Sequence, residues 1–208
     1  MISRRPFLAS VLAVLCVTLA GSRAQGAIPD PFRSTVDPCI RVCPAGDMNF
    51  HVVVRDALNN PRAGSTVLIN FGNCSGVTLC PAFPGDPYTF VPPNSIQMTS
   101  NGEGVADFPI RAGGVCVGSV MVYADGVQLA VRGAVSSPDQ NGDLVVNATD
   151  SGILGGKLGS SDPTGDLNCS GVVEAGDTGI LLAHGGHSCQ AVVPVKPGSW
   201  GKVKIHYR

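Results

Sequence analysis

Two runs of oxygen-bearing side chains recur 27 residues apart toward the C-terminal end of this 208-residue chain. Residues 139–159 align with residues 166–186 without a gap. The first run offers Asp139, Asn141, Asp143, Asn147 and Asp150, and the second offers Asp166, Asn168, Ser170, Glu174 and Asp177. Residues 139–190 hold seven acidic side chains against one basic side chain, that of Lys157. This composition and repetition indicate cation binding.

The spacing of these donors matches a twelve-residue loop that wraps a hard cation such as Ca²⁺. Calcium takes about six to eight oxygens, which such a loop supplies from positions 1, 3, 5, 7, 9 and 12. The backbone carbonyl supplies position 7, so the predicted ligands are Asp139, Asn141, Asp143, Val145, Asn147 and Asp150 in loop one, and Asp166, Asn168, Ser170, Val172, Glu174 and Asp177 in loop two. Position 6 is Gly171 in loop two but Leu144 in loop one. We therefore expect loop one to bind calcium more weakly.

At these residues the chain resembles dockerin, a duplicated calcium module with EF-hand-like loops. The resemblance covers residues 139–187, where each loop precedes one helix and ends on an aspartate. It implies Ca²⁺ as cofactor and a cohesin-type protein domain as partner, which attaches a secreted protein to a scaffold or cell surface. The positions that contact cohesin in the family are Ala148-Thr149 and Ala175-Gly176 here, instead of a Ser-Thr pair. The cohesin partner therefore rests on resemblance alone, and two metal-free turns remain the alternative.

The elements before the repeat read as short β-strands. Phe50, Val52 and Val54 alternate with polar residues, and a turn-forming cluster follows at 59–64. Further apolar runs, each bounded by Gly, Asp or Asn, cover 67–71, 105–110, 115–123 and 127–135. About seven strands at this spacing predict a mainly β sandwich of two antiparallel sheets over residues 47–135. A small α-helical pair of calcium loop–helix repeats is predicted to follow at 139–190.

Two phrases in the predicted sandwich resemble the hairpins of bacterial immunoglobulin-like domains of the invasin and adhesin type. The first is Val53-Val54-Arg55-Asp56 followed by Asn60-Pro61, and the second is the sequence of residues 99–106. The resemblance implies an immunoglobulin-like fold and specifies function much less well, because the matching residues form turns. The Pro- and Gly-rich segment 74–93 is predicted to be an irregular insertion.

The two ends of the chain read as targeting or linker sequence. Arg4 and Arg5 precede an apolar run at 7–20, so residues 1–24 are predicted to be a secretory signal peptide, with twin-arginine export as a possible route. Residues 25–46 are a predicted lead-in. No later apolar run is long enough to span a membrane, so we expect a secreted, extracellular or cell-surface protein. Residues 191–208 are a predicted linker and basic tail. Three roles are open for this tail: a frayed end, a docking tag, or a contact with the acidic residues of 139–190.

The cysteines favour an oxidising compartment, because the chain has eight of them. We predict a bridge between Cys169 and Cys189 that clamps loop two to its helix. The five cysteines that fall with the sandwich then form two bridges and leave one thiol, with the connectivity open; they are Cys39, Cys43, Cys74, Cys80 and Cys116. Zinc binding by His184, His187 and Cys189 is disfavoured, because Gly185-Gly186 indicates a flexible helix end.

Composition and motifs favour a protein that is not an enzyme. A net charge of −1 gives no basis for nucleic-acid binding, and no hydrolase elbow, metalloprotease motif or phosphate loop is present. We predict a secreted protein whose calcium module attaches an immunoglobulin-like domain to a scaffold or surface partner. The alternative is a glycan-binding or adhesin protein, or an accessory component of a polysaccharide-degrading assembly. Glycan binding would have to rely on Tyr88 and Tyr123, the two tyrosines of the predicted sandwich.

Overall fold

A computed structural model describes residues 28–189, so the predicted signal peptide and tail lie outside the described residues. The described chain is mainly β and ends in two short helices. The strands are β1 (Thr35–Val36), β2 (Ile40–Arg41), β3 (Asn49–Val53), β4 (Thr66–Asn70), β5 (Thr78–Leu79), β6 (Thr89–Val91), β7 (Ser95–Thr99), β8 (Val105–Pro109), β9 (Ala112–Gly113), β10 (Cys116–Ala124) and β11 (Val127–Ser136). The helices are α1 (Ala148–Gly155) and α2 (Ala175–Ala183).

Two sheets enclose one apolar core. The larger sheet has the strand order β2-β11-β10-β4-β7-β6, and the smaller has the order β1-β3-β8. Neighbouring strands are antiparallel except β2, which runs parallel to β11. Phe50 and Phe108 of the smaller sheet pack in the same fully buried cluster as Ile69 and Ile96 of the larger one. The predicted mainly β sandwich of two sheets is confirmed.

The sandwich begins earlier than predicted, because the lead-in belongs to the fold. β1 pairs with β3, and β2 pairs with β11, so both two-residue strands extend sheet edges. Ile40 and Val42 bury their side chains in the sandwich core. Strands of two residues are too short to show alternation in the sequence. The predicted insertion at 74–93 likewise contributes β5, which pairs with β9, and β6, which pairs with β7.

The C-terminal residues 139–189, called here the loop–helix module, have a small core of their own. This core is separate from that of the sandwich and consists of Val146, Leu154, Leu167, Val173 and Leu181. Val146 and Val173 occupy position 8 of the two loops, so both loops contribute to this core. No helix within residues 28–189 has both the length and the apolar character needed to cross a membrane.

The disulfides join the module to the sandwich, so the predicted Cys169–Cys189 bridge is wrong. Cys39 pairs with Cys169, and Cys80 pairs with Cys189. The third bridge, Cys74–Cys116, lies within the sandwich. The sequence prediction failed because it assumed that cysteines close in sequence form a bridge. In the fold, Cys39 of the lead-in and Cys80 of the segment 74–93 lie next to the module and bond to its two cysteines instead. Among residues 28–189 one thiol stays free, as expected: Cys43, which is buried.

Loop one packs directly against the sandwich at a pair of glycines. The N–H of Gly114 donates to the backbone carbonyl of Asp139 at 2.9 Å. A Cβ added at Gly113 would overlap the Asp139 carboxylate, and a Cβ added at Gly114 would lie 3.2 Å from the Cα of Gly142. The missing side chains therefore allow the backbone of β9 to approach the loop closely.

Arginines make further links between the two parts. The buried Arg111 of the sandwich is paired with Asp86 at 3.3 Å and also donates to the carbonyl of Cys189. Arg41 reaches the carbonyl of Leu167 at 3.4 Å. Together with the disulfides, these contacts hold the module against the sandwich as part of one unit.

We expect Gly113→Ala to lower the free energy of unfolding by about 1–3 kcal/mol, because the added methyl group overpacks the contact with Asp139. Denaturant unfolding measures this loss. Gly133→Ala in β11 is the matched control, since no atom lies within 4 Å of its added Cβ. Equal unfolding midpoints for the two variants would contradict the close packing of loop one against β9.

Removing the Cys39–Cys169 bridge by the double substitution Cys39→Ser/Cys169→Ser should cost about 3–5 kcal/mol, because this bridge closes a long loop. Its sequence separation is 130 residues, against 42 for Cys74–Cys116. Loop-closure entropy predicts that Cys74→Ser/Cys116→Ser costs about 1 kcal/mol less. Denaturant unfolding compares the two losses. Peptide mass mapping that pairs Cys169 with Cys189 would overturn the connectivity.

Candidate metal centre

The aspartates at position 12 of the two loops make the same three hydrogen bonds. Asp150 accepts the N–H groups of loop positions 2, 3 and 9 at 2.8, 3.1 and 2.8 Å. Asp177 accepts the corresponding three N–H groups at 2.7, 3.0 and 2.7 Å. Both carboxylates are fully buried, and both lie at the N3 position of the helix that follows. Each therefore closes its loop and caps its helix at once.

The aspartates at position 1 are also buried and face inward in each loop. Asp139 accepts the N–H groups of positions 4 and 6, both at 2.8 Å. Asp166 accepts those of positions 5 and 6 at 2.9 and 2.7 Å. The loop backbone therefore folds around these carboxylates in both repeats.

The backbone of both loops turns at the same two positions. Positions 4 and 6 have positive φ in each loop, at 77° and 68° for Gly142 and Leu144, and at 63° and 92° for Cys169 and Gly171. Leu144 thus adopts the turn that the sequence analysis considered difficult for a side chain. A left-handed conformation costs a residue with a Cβ about 1–2 kcal/mol. The rest of loop one imposes this conformation on Leu144.

The remaining predicted ligands of loop one lie together on its exposed side. The amide nitrogen of Asn141 donates to Asp143 at 2.9 Å. The amide nitrogen of Asn147 lies 3.5 Å from Asp143 and donates to the carbonyl of Val145 at 3.2 Å. The structure therefore brings positions 3, 5, 7 and 9 to one place.

Loop two gathers the corresponding positions. The amide nitrogen of Asn168 donates to the carboxylate of Glu174 at 3.2 Å. The hydroxyl of Ser170 donates to the carbonyl of Val172 at 3.0 Å. Since these groups contact one another in pairs, loop two assembles the same kind of oxygen-rich surface as loop one.

The two repeats are intertwined in a pseudo-two-fold arrangement. The N–H of Val173 in loop two donates to the carbonyl of Ser160, which follows α1, at 2.8 Å. The N–H of Val146 in loop one donates to the carbonyl of His187, which follows α2, at 2.9 Å. Ser160 and His187 are themselves 27 residues apart, so each loop binds the end of the other repeat in the same way. Neither repeat completes its hydrogen bonds alone.

Electrostatics in loop one favour the arrival of a cation. Burial raises the pKa of Asp139, and the neighbouring carboxylates of Asp150 and Asp143 act in the same direction, against the loop N–H donors. The amide N–H of Asn141 instead lowers the pKa of Asp143, which stays ionised. A bound cation would relieve the repulsion among the three carboxylates.

The donor set of the two loops fits a hard cation, since it consists of oxygens alone. The groups that would hold it are those predicted from the sequence, with Asp139 and Asp150 fixed in loop one and Asp166 and Asp177 fixed in loop two. The carboxylates of neither loop form a tight cluster, however. Within residues 28–189, three or more His, Cys, Asp or Glu ligand atoms lie within 4.8 Å of one another at only one place, and it lies outside the loops. Calcium binding by the loops remains a prediction.

That other place was missed by the sequence analysis. It is a cluster of Cys43, Asp47, His184 and His187, in which Cys43 and Asp47 come from the turn between β2 and β3 and the histidines from the end of α2. Cys43 and Asp47 lie near the start of the described chain, and His184 and His187 lie near its end. Because the two pairs are so far apart in sequence, the spacing within each pair gave no sign of a shared site. Cys189, which the sequence analysis grouped with these histidines, is bonded to Cys80 instead. Burial raises the pKa of the Cys43 thiol.

Comparisons with known proteins give only low similarities to solved structures. No protein-family model and no curated protein matches the chain. Among solved structures, it is similar to invasin, a bacterial integrin-binding protein, with 17% identity and a TM-score of 0.33 over 57% of this chain and 21% of that one. It is also similar to the filamin domain of Lin-41, with 11% identity and a TM-score of 0.27 over 52% of this chain and 97% of that one. The chain thus spans about a fifth of the length of invasin.

We expect calcium to raise the melting temperature of the full chain relative to the chelator-treated protein, because a cation that binds only the folded loops stabilises them by mass action. At a free concentration of 100 times Kd the gain is about 2.7 kcal/mol per site. Asp166→Ala should weaken binding more than Asn141→Ala, since it removes a charge. Calorimetry measures both effects.

Asp107→Ala is the control for this test, because Asp107 is an exposed carboxylate in β8 of the sandwich. It should leave the calcium response intact. No calcium heat and an unchanged melting profile in the parent chain would show that the loops are metal-free turns.

Proposed function

We propose that this chain is an exported, non-enzymatic attachment protein in which a dockerin-like calcium module carries an immunoglobulin-like domain. The observation that supports the proposal is the identical hydrogen-bond pattern of the two loops around Asp150 and Asp177. Two loops that share ligand spacing, backbone turns and mutual pairing form a duplicated module, as the resemblance implies. Three disulfides in the described chain are compatible with an extracellular location.

The calcium ions would act as structural ions in this proposal. They would neutralise the carboxylates of each loop and fix the exposed donors around Asp143 and Glu174 in one arrangement. Position 9 of each loop is the N-cap of the helix that follows, and the helix begins at position 10. An ordered loop therefore fixes the start of its helix. Calcium therefore would control the shape of the surface that the helix starts present.

The surface proposed for the partner includes the starts of both helices. Ala148 and Thr149 are exposed at the start of α1, as are Ala175 and Gly176 at the start of α2. These are the positions that correspond to the cohesin-contacting pair of dockerins. Their small side chains leave the backbone accessible, which supports close approach by another protein domain.

Glycan binding is the second candidate, and one hollow on the sandwich favours it. The hollow has a volume of about 600 Å³ and is lined in part by Tyr123, Asn70, Gln97 and Asp125. An aromatic ring beside amide and carboxylate groups is the combination that binds sugars. Tyr88 is unsuited to this role, because its ring is buried and its hydroxyl accepts the N–H of Arg111 at 3.0 Å.

A cohesin-domain panel immobilised on a surface tests the attachment proposal. We expect calcium-dependent capture of the full chain by at least one cohesin. Since the repeats present equivalent helix starts, Ala148→Arg or Ala175→Arg alone should weaken capture only in part, whereas the double variant should abolish it. Ala57→Arg, at an exposed turn of the sandwich, is the control.

Capture that survives chelator and the double variant would show that the helix starts are not the docking surface. Absence of capture by every cohesin, with calcium binding intact, would remove the cohesin partner while leaving the calcium module. Glycan-array binding that Tyr123→Ala abolishes would then favour the second candidate.

A further inference from the structure

We propose that Cys43, Asp47, His184 and His187 form a binding site for a divalent transition metal, and that zinc is the ion their donors and spacing fit best. The four ligand atoms lie within 4.8 Å of one another. The site shares no ligand with the two loops and does not depend on the attachment proposal. Its failure and that of the calcium loops would therefore be seen in separate measurements.

Three of the six separations between the donors match the edges of a zinc tetrahedron. With metal–ligand distances of about 2.0–2.2 Å for nitrogen and oxygen and about 2.3 Å for sulfur, tetrahedral ligands lie about 3.3–3.6 Å apart. The Oδ2 atom of Asp47 lies 3.4 Å from Nε2 of His184 and 3.2 Å from Nδ1 of His187. The Sγ atom of Cys43 lies 3.6 Å from Nδ1 of His187. These three edges are already the length that a bound zinc ion requires.

His184 has its other ring nitrogen committed in the manner of a metal ligand. Its Nδ1 lies 2.7 Å from the carbonyl oxygen of Ile180, one turn back in α2. A carbonyl only accepts hydrogen bonds, so Nδ1 carries the proton. In the neutral imidazole, Nε2 then has a free lone pair directed at Asp47. Such a bond from the second nitrogen orients metal-binding histidines and fixes their tautomer.

The rings of the two histidines approach the cluster from different directions. Their centroids are 5.1 Å apart and their planes are inclined at 78°. This inclined arrangement leaves both rings room to bind one ion between them without stacking. The backbone supports this geometry, since the N–H of His187 donates to the carbonyl of His184 at 3.0 Å.

The donor types select zinc over the calcium proposed for the loops. Thiolate and imidazole are borderline to soft ligands, which suit zinc and other late transition metals, whereas calcium takes oxygen. Cys43 is the free cysteine of the described chain, where the other six form disulfides. Metal binding gives this remaining thiol a role that disulfide pairing does not.

The position of the cluster predicts a structural role for the ion. Four protein ligands complete a tetrahedron and leave no open position for a substrate. Cys43 and Asp47 belong to the sandwich, and His184 and His187 to the loop–helix module, so the ion would join the two parts. The side chains of Asp47 and His187 are 41% and 31% exposed, which gives the ion a path from solvent.

The test is a zinc titration of the full chain, without an affinity tag and with the loops saturated by calcium. We expect one zinc per chain and a raised melting temperature. Cys43→Ser and His187→Ala should each weaken zinc binding by at least about tenfold, since even outer-shell changes cost 10–100-fold. His51→Ala, which removes a half-exposed histidine of β3 outside the cluster, is the matched control and should bind as the parent does.

Cobalt substitution keeps the test independent of variant folding. The parent chain loaded with Co²⁺ should show the visible bands of a tetrahedral site and a thiolate-to-cobalt charge-transfer band. Cys43→Ser should lose the charge-transfer band. Absence of both signals in the parent, or zinc affinity that is equal in the parent and in His184→Ala/His187→Ala, would show that the cluster is a set of ordinary hydrogen bonds.

Discussion

The buried carboxylates of Asp150 and Asp177 are the groups on which the loop–helix module depends. A buried carboxylate is costly unless it is hydrogen-bonded, and each of these accepts three N–H groups of its own loop. The same two oxygens therefore close the loop and start the helix. Because α2 has nine residues and starts from the N-cap that Asp177 holds, this carboxylate also determines where His184 lies. With loop two closed, the end of α2 lies beside Asp47.

The second constraint is that the module and the sandwich form one unit. The sequence analysis treated residues 47–135 and 139–190 as successive domains, but β2 and the lead-in reach both. Cys39 lies immediately before β2 and bonds to Cys169 in loop two. Cys80 bonds to Cys189 at the far end of the module. Loop one, at the start of the module, fits against Gly113 and Gly114. The module is therefore held at both ends and, through Cys169, in the middle.

Features encoded by neighbouring residues were predictable from the sequence. Features that depend on contacts between residues far apart in the chain were not. Alternation around Phe50 identified β3 because one strand has a two-residue period whatever its partner. The 27-residue repeat identified both loops, and the hydrogen bonds of their position-12 aspartates agree position by position. The pairing of β2 with β11, the disulfide connectivity and the approach of Asp47 to His184 each join residues far apart in the chain. No local pattern records these approaches, since they follow from how the sandwich and module pack.

The packing of the module limits how a partner could bind it. Loop one is covered near Gly142 by β9, loop two is bonded through Cys169, and the end of α2 lies against Asp47. The exposed starts of α1 and α2 are among the helical surfaces left for docking. A partner bound there would contact a module that has no flexible link to the sandwich. An attachment of this kind would present the immunoglobulin-like domain in one orientation, because rotation would have to break the disulfides and the arginine contacts of Arg41 and Arg111. The covalent links thus set the direction in which the sandwich faces its surroundings, whatever it binds.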